Sequence, residues 1–275
     1  AFAARGPQYA LPEACIADFE LAKELGTRIT VHAGDGEYGK RRGLAWMYEK
    51  GYATDIVTYV HCNTLAPDEY QMIADTGGTA SVAADIETQM GHGWPATGHL
   101  LDVGVRPSLS IDVCTSNAGD MFHAMKTTIS TQRALDNDAL EAASDADELR
   151  LKCSDVVDFA TMQGAIATGL DDKIGSITVG KQADIILIRA DSLGMTPRNN
   201  PYGAIVYSGH GGMVDTVLVA GKVVKENGKL VGIDVKRIKQ LAAETNDYLF
   251  ENASKVASIA DARRGGTWLP EAVKA

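Results

Sequence analysis

The chain has 275 residues, 45% of them hydrophobic, and carries 26 Lys and Arg against 36 Asp and Glu, a formal net charge of -10. That balance opposes nucleic acid or an anionic membrane as a partner, since either requires clustered basic surface. The one basic run, Lys40-Arg41-Arg42, is short and reads as a solvated face or as an anion contact at the mouth of a site. No apolar run approaches the ~18 residues of a membrane span, and the opening residues lack the charged-then-apolar design of a secretion signal. The four cysteines form no CxxC pair, which excludes zinc ribbons and thioredoxin-like motifs and fits buried reduced thiols in a cytoplasmic protein. The length suits one large α/β barrel or two ordinary domains.

Residues 1 to 10 predict a short strand whose end offers Gln8 to a substrate. A helix opens at Pro12, with Cys15, Phe19 and Ala22 on one face, and stops at Gly26. Strand Arg28 to Val31 then delivers His32. After Gly34-Asp-Gly36 a helix runs from about Arg42 to Lys50, and strand Ile56 to Val60 delivers His61. Pro67 opens a further helix ending near Gly77-Gly78, and Thr79 to Ala83 form a strand. Ala84 to Thr97 reads as a long loop rich in Gly, His and carboxylate, and a helix from Gly98 to Val103 leads into a strand carrying Asp112. Alternation of strand and helix over short linkers predicts parallel βα units. Helical periodicity then covers about Asp120 to Gly169. From Gly169 the composition turns to Gly-punctuated β segments, and Asp234 caps a last helix whose apolar positions run from Val235 to Val256. The expected division is a partial barrel over 1-169, a small β domain over 170-232, and a C-terminal helix and tail over 233-275.

His32, His61 and Asp112 each sit where a predicted strand ends. Each alone reads as readily as a hydrogen-bonded structural residue. On three parallel strands, however, they converge on one mouth, and His with Asp suits a divalent metal, zinc or alternatively ferrous iron. Such an ion makes a hydroxide nucleophile near neutral pH, and a carboxylate nearby must move protons. Asp35 is the first choice for that task and Glu37 the second, against the plain reading of a turn acid. Glu87, His92 and Trp94 in the long loop offer substrate contacts. Ser208-Gly-His-Gly-Gly212 reads as a flexible linker, because no GxSxG elbow accompanies it. Gly175 to Lys181 matches the phosphate-loop pattern, yet Gln182 replaces the required Ser or Thr and a strand-like Ile185-Ile-Leu-Ile follows where a helix is needed. We reject it.

Val31-His-Ala-Gly-Asp35, Tyr59-Val-His61, Ser110-Ile-Asp112, Ala165-Ile-Ala-Thr-Gly-Leu170 and Ile174-Gly-Ser-Ile-Thr-Val-Gly-Lys-Gln-Ala-Asp-Ile-Ile-Leu-Ile188 resemble the metal-dependent amidohydrolase superfamily, in the branch of cytosine deaminase, methylthioadenosine deaminase and the triazine hydrolases. The resemblance implies a (β/α)8 TIM-type barrel, here strands 4 to 8, beside a small β-sandwich. It implies His32 as a metal ligand, His61 as a contact to substrate or metal, and Asp112 as metal ligand and proton acceptor. It also implies Asp35, in place of the family's usual Glu, as the acid that protonates a leaving amine. The expected activity is deamination of a small heterocyclic substrate, with chlorohydrolase or alkylamino hydrolase chemistry and a non-catalytic binding module as alternatives. The family's HxH ligand pair has no counterpart here, so the expectation is the carboxyl-terminal portion of a longer enzyme, inactive alone. Two open sheet edges would then favour a homo-oligomer that covers them.

Overall fold

Five short strands, β1 (Phe2–Ala3), β2 (Ile29–Ala33), β3 (Val57–His61), β4 (Thr79–Val82) and β5 (Ser108–Leu109), pair in chain order as one sheet. Every pairing is parallel, with Val31 opposite Tyr59, Tyr59 opposite Ala80 and Val82 opposite Leu109. The computed structural model describes residues 1–139 and 149–253, and it divides into two compact units, Ala1–Lys229 and Leu230–Ala275.

The strands are joined by helices α1 (Gly6–Tyr9), α2 (Pro12–Glu24), α3 (Gly43–Glu49), α4 (Pro67–Thr76), α5 (Ala84–Gln89) and α6 (Thr97–Asp102). Parallel neighbours require such crossovers, and burying both faces of the sheet makes its strands apolar runs. Ile29, Val31, Val57, Tyr59, Ala80 and Val82 pack with Cys15, Phe19 and Ala22 of α2, Leu44 and Met47 of α3, and Tyr70 and Ile73 of α4. Each large apolar side chain buried there contributes about 1.5–3 kcal/mol. A second core joins Leu109 to Phe122, Met125 and Ile129 of α7 (Met121–Ala139), Val156 and Phe159 of α8 (Cys153–Phe159), and to Val206 and Val214.

Glu69 fixes the entry of two helices at once. Its buried carboxylate accepts from Ala45 N at 3.0 Å and from Ala66 N at 3.0 Å, so two otherwise orphaned helix-start donors share one acid. The Ala165 to Leu170 stretch is the end of α9 (Met162–Thr168), where Gly169 at φ 67 lets Leu170 N reach back to Ala165 O at 2.9 Å. Gly175 packs over that end, and a Cβ there would lie 2.7 Å from Ala165 Cβ. The residues that matched the phosphate-loop pattern run into strand β6 (Ile185–Ile188), with Lys181 Nζ donating to Ile174 O at 3.0 Å.

After the short turn α10 (Pro201–Gly203), strands β7 (Val214–Val219), β8 (Lys222–Glu226) and β9 (Lys229–Leu230) follow, and the sheet order is β6-β7-β8-β9. The registers of β6 with β7 and of β7 with β8 are antiparallel. Within Ser208 to Gly212, Gly209 lies against Ile205 O and the Phe122 ring with no room for a Cβ. In the second unit, α11 (Val235–Ala253) is capped by Asp234 Oδ1, which accepts from Arg237 N at 2.9 Å. Val256 and part of the predicted 120–169 helical region lie outside the described residues.

Three local expectations change. Ala84 to Thr97 is not one loop: Ala84–Gln89 is helical, with Glu87 Oε1 reaching back to accept from Ala83 N at 2.7 Å. Six residues are too few for helical periodicity to show. The strand expected to carry Asp112 stops at Leu109, because β5 is an edge and nothing beyond Ser110, whose N donates to Val82 O at 2.9 Å, pairs onward. Cys114 is exposed, whereas Cys15 and Cys62 are buried as expected.

Candidate active site

His32 lies in β2 opposite Val60 of β3, and His61 closes β3 opposite Ala33. Regular alternation would put His61 on the other face from His32. Its backbone is left-handed, φ 74, as is that of Cys62, φ 62, and the alternation breaks there. The two imidazoles consequently stand with centroids 5.4 Å apart. Asp112 is also left-handed, φ 55, held by Ser110 Oγ, which accepts from Asp112 N at 2.9 Å. Left-handed backbone at non-glycine residues costs roughly 1–3 kcal/mol each and collects at functional sites.

His61 is buried between two acids. Its Nδ1 donates to Glu87 Oε1 at 3.2 Å, and its Nε2 stands 4.0 Å from Asp112 Oδ2. Burial pushes the imidazole pKa down, but the hydrogen bond and charge of Glu87, with Asp35 and Asp112 behind it, hold it above the usual value. His32 goes the other way: burial and the neighbouring His61 lower its pKa against the pull of Asp35 and Asp112. A neutral imidazole beside a carboxylate results.

Asp35 is buried, and its contact with His92 is close but off the line of a hydrogen bond. Its backbone N donates to Gln8 Oε1 at 3.2 Å, its Oδ2 accepts from Tyr9 Oη at 2.6 Å, and its Oδ1 is 2.5 Å from His92 Nδ1. Burial and the hydrogen bond to Asp35 push the Tyr9 phenol up to about 12, so it stays a donor. Tyr9 also meets His32 edge-on at 5.3 Å and Tyr38 at 4.8 Å. The basic run is tied down around this cluster. Arg41 donates to Gln8 O at 2.8 Å, Arg42 pairs with Asp68, and Lys40 pairs with Glu37 on the surface.

Seven residues singled out in the sequence, Gln8, His32, Asp35, His61, Glu87, His92 and Asp112, are thus brought together. Glu37 is turned to solvent, and Trp94 is exposed, meeting this region through its carbonyl, which accepts from Asn63 Nδ2 at 2.9 Å. Tyr9 was not singled out as a site residue. Its contact spans 26 positions, and no local pattern marks it.

Zinc takes three or four protein ligands in most sites. Among the described residues no group of three or more His, Cys, Asp or Glu is disposed to hold an ion. His32, neutral, and Asp112, a carboxylate at the same mouth, fit the chemistry of such a site but furnish only part of a donor set. At this cluster Glu87 Oε2, Asp35 Oδ1 and His92 Nδ1 are buried without a hydrogen-bond partner, polar atoms that a bound polar group could satisfy.

The Amidohydrolase family profile matches residues 1–224. The chain is 28% identical over 229 residues to a 5-methylthioadenosine/S-adenosylhomocysteine deaminase of Caldanaerobacter subterraneus subsp. tengcongensis, covering 80% of this chain and 51% of that protein. It is 32% identical over 231 residues to a 5'-deoxyadenosine deaminase of Methanothermobacter thermautotrophicus, covering 81% and 52%. Among solved structures, an adenosine deaminase from Xanthomonas campestris with bound zinc superposes with a TM-score of 0.81 at 25% identity, covering 91% of this chain and 57% of that one. A zinc-bound atrazine chlorohydrolase from Arthrobacter aurescens superposes at 0.76 with 22% identity, covering 89% and 54%. The chain spans about half the length of the curated relatives it matches.

Proposed function

The chain belongs to the amidohydrolase family, and from that premise we propose that it carries part of the active site of a metal-dependent hydrolase that deaminates a small heterocyclic substrate. One observation carries the reading. His32, His61 and Asp112 face one another at the carboxyl ends of the sheet, with Asp35, Glu87 and His92 behind them. Ligands of parallel α/β sheets bind at that end.

His32 and Asp112 would hold the metal, zinc or alternatively iron, together with ligands that the described residues do not place there. When bound, the ion supplies Lewis-acid activation of water. The protein's own groups divide the remaining work. His61, its Nδ1 fixed by Glu87, points Nε2 toward Asp112 and can hydrogen-bond a ring atom as charge develops. Asp112 accepts a proton from the attacking water. Asp35 with His92 returns a proton to the departing amine. Gln8 and the Tyr9–Tyr38 wall border the ring.

At the level of architecture we read 1-169 as a partial (β/α) barrel, 170-232 as the small β domain of a sandwich and 233-275 as a C-terminal helix and tail. A homo-oligomer in the cytoplasm completes the proposal, since pairing of chains would cover the sheet edges.

Ammonia release from 5'-deoxyadenosine and 5-methylthioadenosine, followed in millimolar zinc, which can fill a site that has only part of its donors, tests the function. Turnover that disappears in Asp112→Asn is expected. Chloride release from a chlorotriazine without any ammonia would move the assignment to the chlorohydrolase alternative. No turnover on either in millimolar zinc, with the metal content there unchanged in His32→Ala, would leave a binding module.

A further inference from the structure

Asp35 occupies the position expected to shuttle protons, but its surroundings argue against direct contact with a substrate. Its side chain is 8% exposed, and its two oxygens face Tyr9 Oη at 2.6 Å and His92 Nδ1 at 2.5 Å. The arm is one methylene shorter than that of a glutamate, and Gln8 pins its backbone. The His92 side chain is 28% exposed and stands edge-on to His61, centroids 6.4 Å apart and planes at 89°. We propose that His92 is the residue that carries the proton at this site, and that Asp35 is its positioning partner. The proposal rests on the deaminase reading above and deepens it.

Two features place His92 for that task. Its backbone N donates to Glu87 O at 2.9 Å, so the turn that ends α5 sets both histidines, His61 through the Glu87 side chain and His92 through the Glu87 carbonyl. Gly91 and Gly93, at φ 70 and 122, flank it and turn the chain back over Gly36, where an added Cβ would lie 3.7 Å from His92 Cα. The Asp35 carboxylate lies in close contact with Nδ1, off the line of a hydrogen bond; its charge favours a proton on that nitrogen and leaves Nε2 as the working one, the division of labour of an acid–histidine pair. In the reaction a C–O bond to water forms and a C–N bond breaks. His92 gives its Nε2 proton to the departing nitrogen, which leaves as ammonia, and regains a proton originating from the attacking water. Asp35 keeps its charge throughout and stabilises the imidazolium.

The test joins a spectroscopic readout to a chemical one. Six histidines make 15N spectra of the imidazoles tractable. With His92→Ala as the assignment variant, neutral His92 is expected as the Nδ1–H tautomer in the wild-type chain and as the Nε2–H tautomer in Asp35→Asn. In the metal-loaded protein, His92→Ala should lower turnover on the aminopurine probes about 100-fold or more, with unchanged metal content, and imidazole added to solution should restore part of it. A structural role would give no such rescue. The proposal is overturned by near-wild-type turnover in His92→Ala, by a loss that imidazole does not restore, or by a His92 tautomer indifferent to Asp35→Asn. The last outcome is readable even if His92→Ala does not fold. If the wild-type protein releases no ammonia, the deaminase reading fails on its own account, and the tautomer still decides whether Asp35 holds His92.

Discussion

At the scale of single residues, His61 shows two opposing effects whose balance can be measured. Burial disfavours the imidazolium, yet the hydrogen bond and charge of Glu87 win and raise the pKa. Glu87→Gln keeps the shape and removes the charge, so the His61 pKa should fall below its usual value, read from imidazole proton shifts against pH. The same balance sets a stability dependence. A histidine whose folded pKa exceeds its unfolded value stabilises fully below the unfolded value, and that contribution is lost as pH rises through the folded pKa. As pH rises from the ordinary imidazole value of about 6.5 through the raised folded value, the wild-type chain should therefore lose more stability than His61→Gln, as followed by urea midpoints. An equal loss in both would show that Glu87 does not govern His61. Both residues were legible in the sequence, His61 as the end of an apolar strand and Glu87 as a carboxylate in a Gly- and His-rich segment. Their hydrogen bond was not, because it depends on the left-handed turn at His61 and on the unforeseen α5. Tyr9 escaped for a related reason: nothing within a few residues of it signals a partner 26 positions away.

At the scale of elements, the segment between β2 and α3 positions Asp35 and Gln8, and its tolerance for side chains is uneven. A Cβ at Gly39 would lie 2.2 Å from both Thr64 O and Thr64 Oγ1. The obstructing atoms include backbone, and Thr64 in turn holds the Asp35 segment through Oγ1, which donates to Gly34 O at 2.9 Å. Gly39→Ala should cost at least ~1–3 kcal/mol by overpacking and displace Asp35. Gly51 is the matched contrast, with nothing within 4 Å of an added Cβ but φ at +75. Gly51→Ala should cost ~1–2 kcal/mol from backbone conformation alone and leave the site as it is. Chemical denaturation of both variants, with the Tyr9–Asp35 contact followed through the Tyr9 ring resonances, separates the two causes. Loss of that contact in Gly51→Ala, or its survival in Gly39→Ala, would contradict the argument. The glycines were visible in the sequence as punctuation. Which of them stands against a neighbour and which stands in open space is a tertiary fact. The same limit hid the early end of β5, since apolar alternation through Val113 looks like a strand whether or not a partner strand lies alongside.

At the scale of the whole molecule, the parallel βα order was legible because each strand, helix and glycine stop follows the next at short spacing, and the family match over residues 1–224 agrees with it. What no spacing reveals is the donor count at the mouth. A complete site stabilises the fold through RT ln(1 + [L]/Kd), about 2.7 kcal/mol at a hundredfold excess over Kd. Zinc sites take three or four protein ligands, and the described residues offer His32 and Asp112, with no group of three disposed for an ion. Affinity from two donors is too low for micromolar zinc to saturate, so linkage contributes almost nothing. The unfolding transition of the 275-residue chain should accordingly be the same in micromolar zinc and in chelator, and His32→Ala should change neither. A rise of several degrees with zinc that His32→Ala abolishes would mean that these residues complete a metal site unaided, and the donor count would have to be redrawn to include a group such as His61, whose Nε2 already faces Asp112 at 4.0 Å.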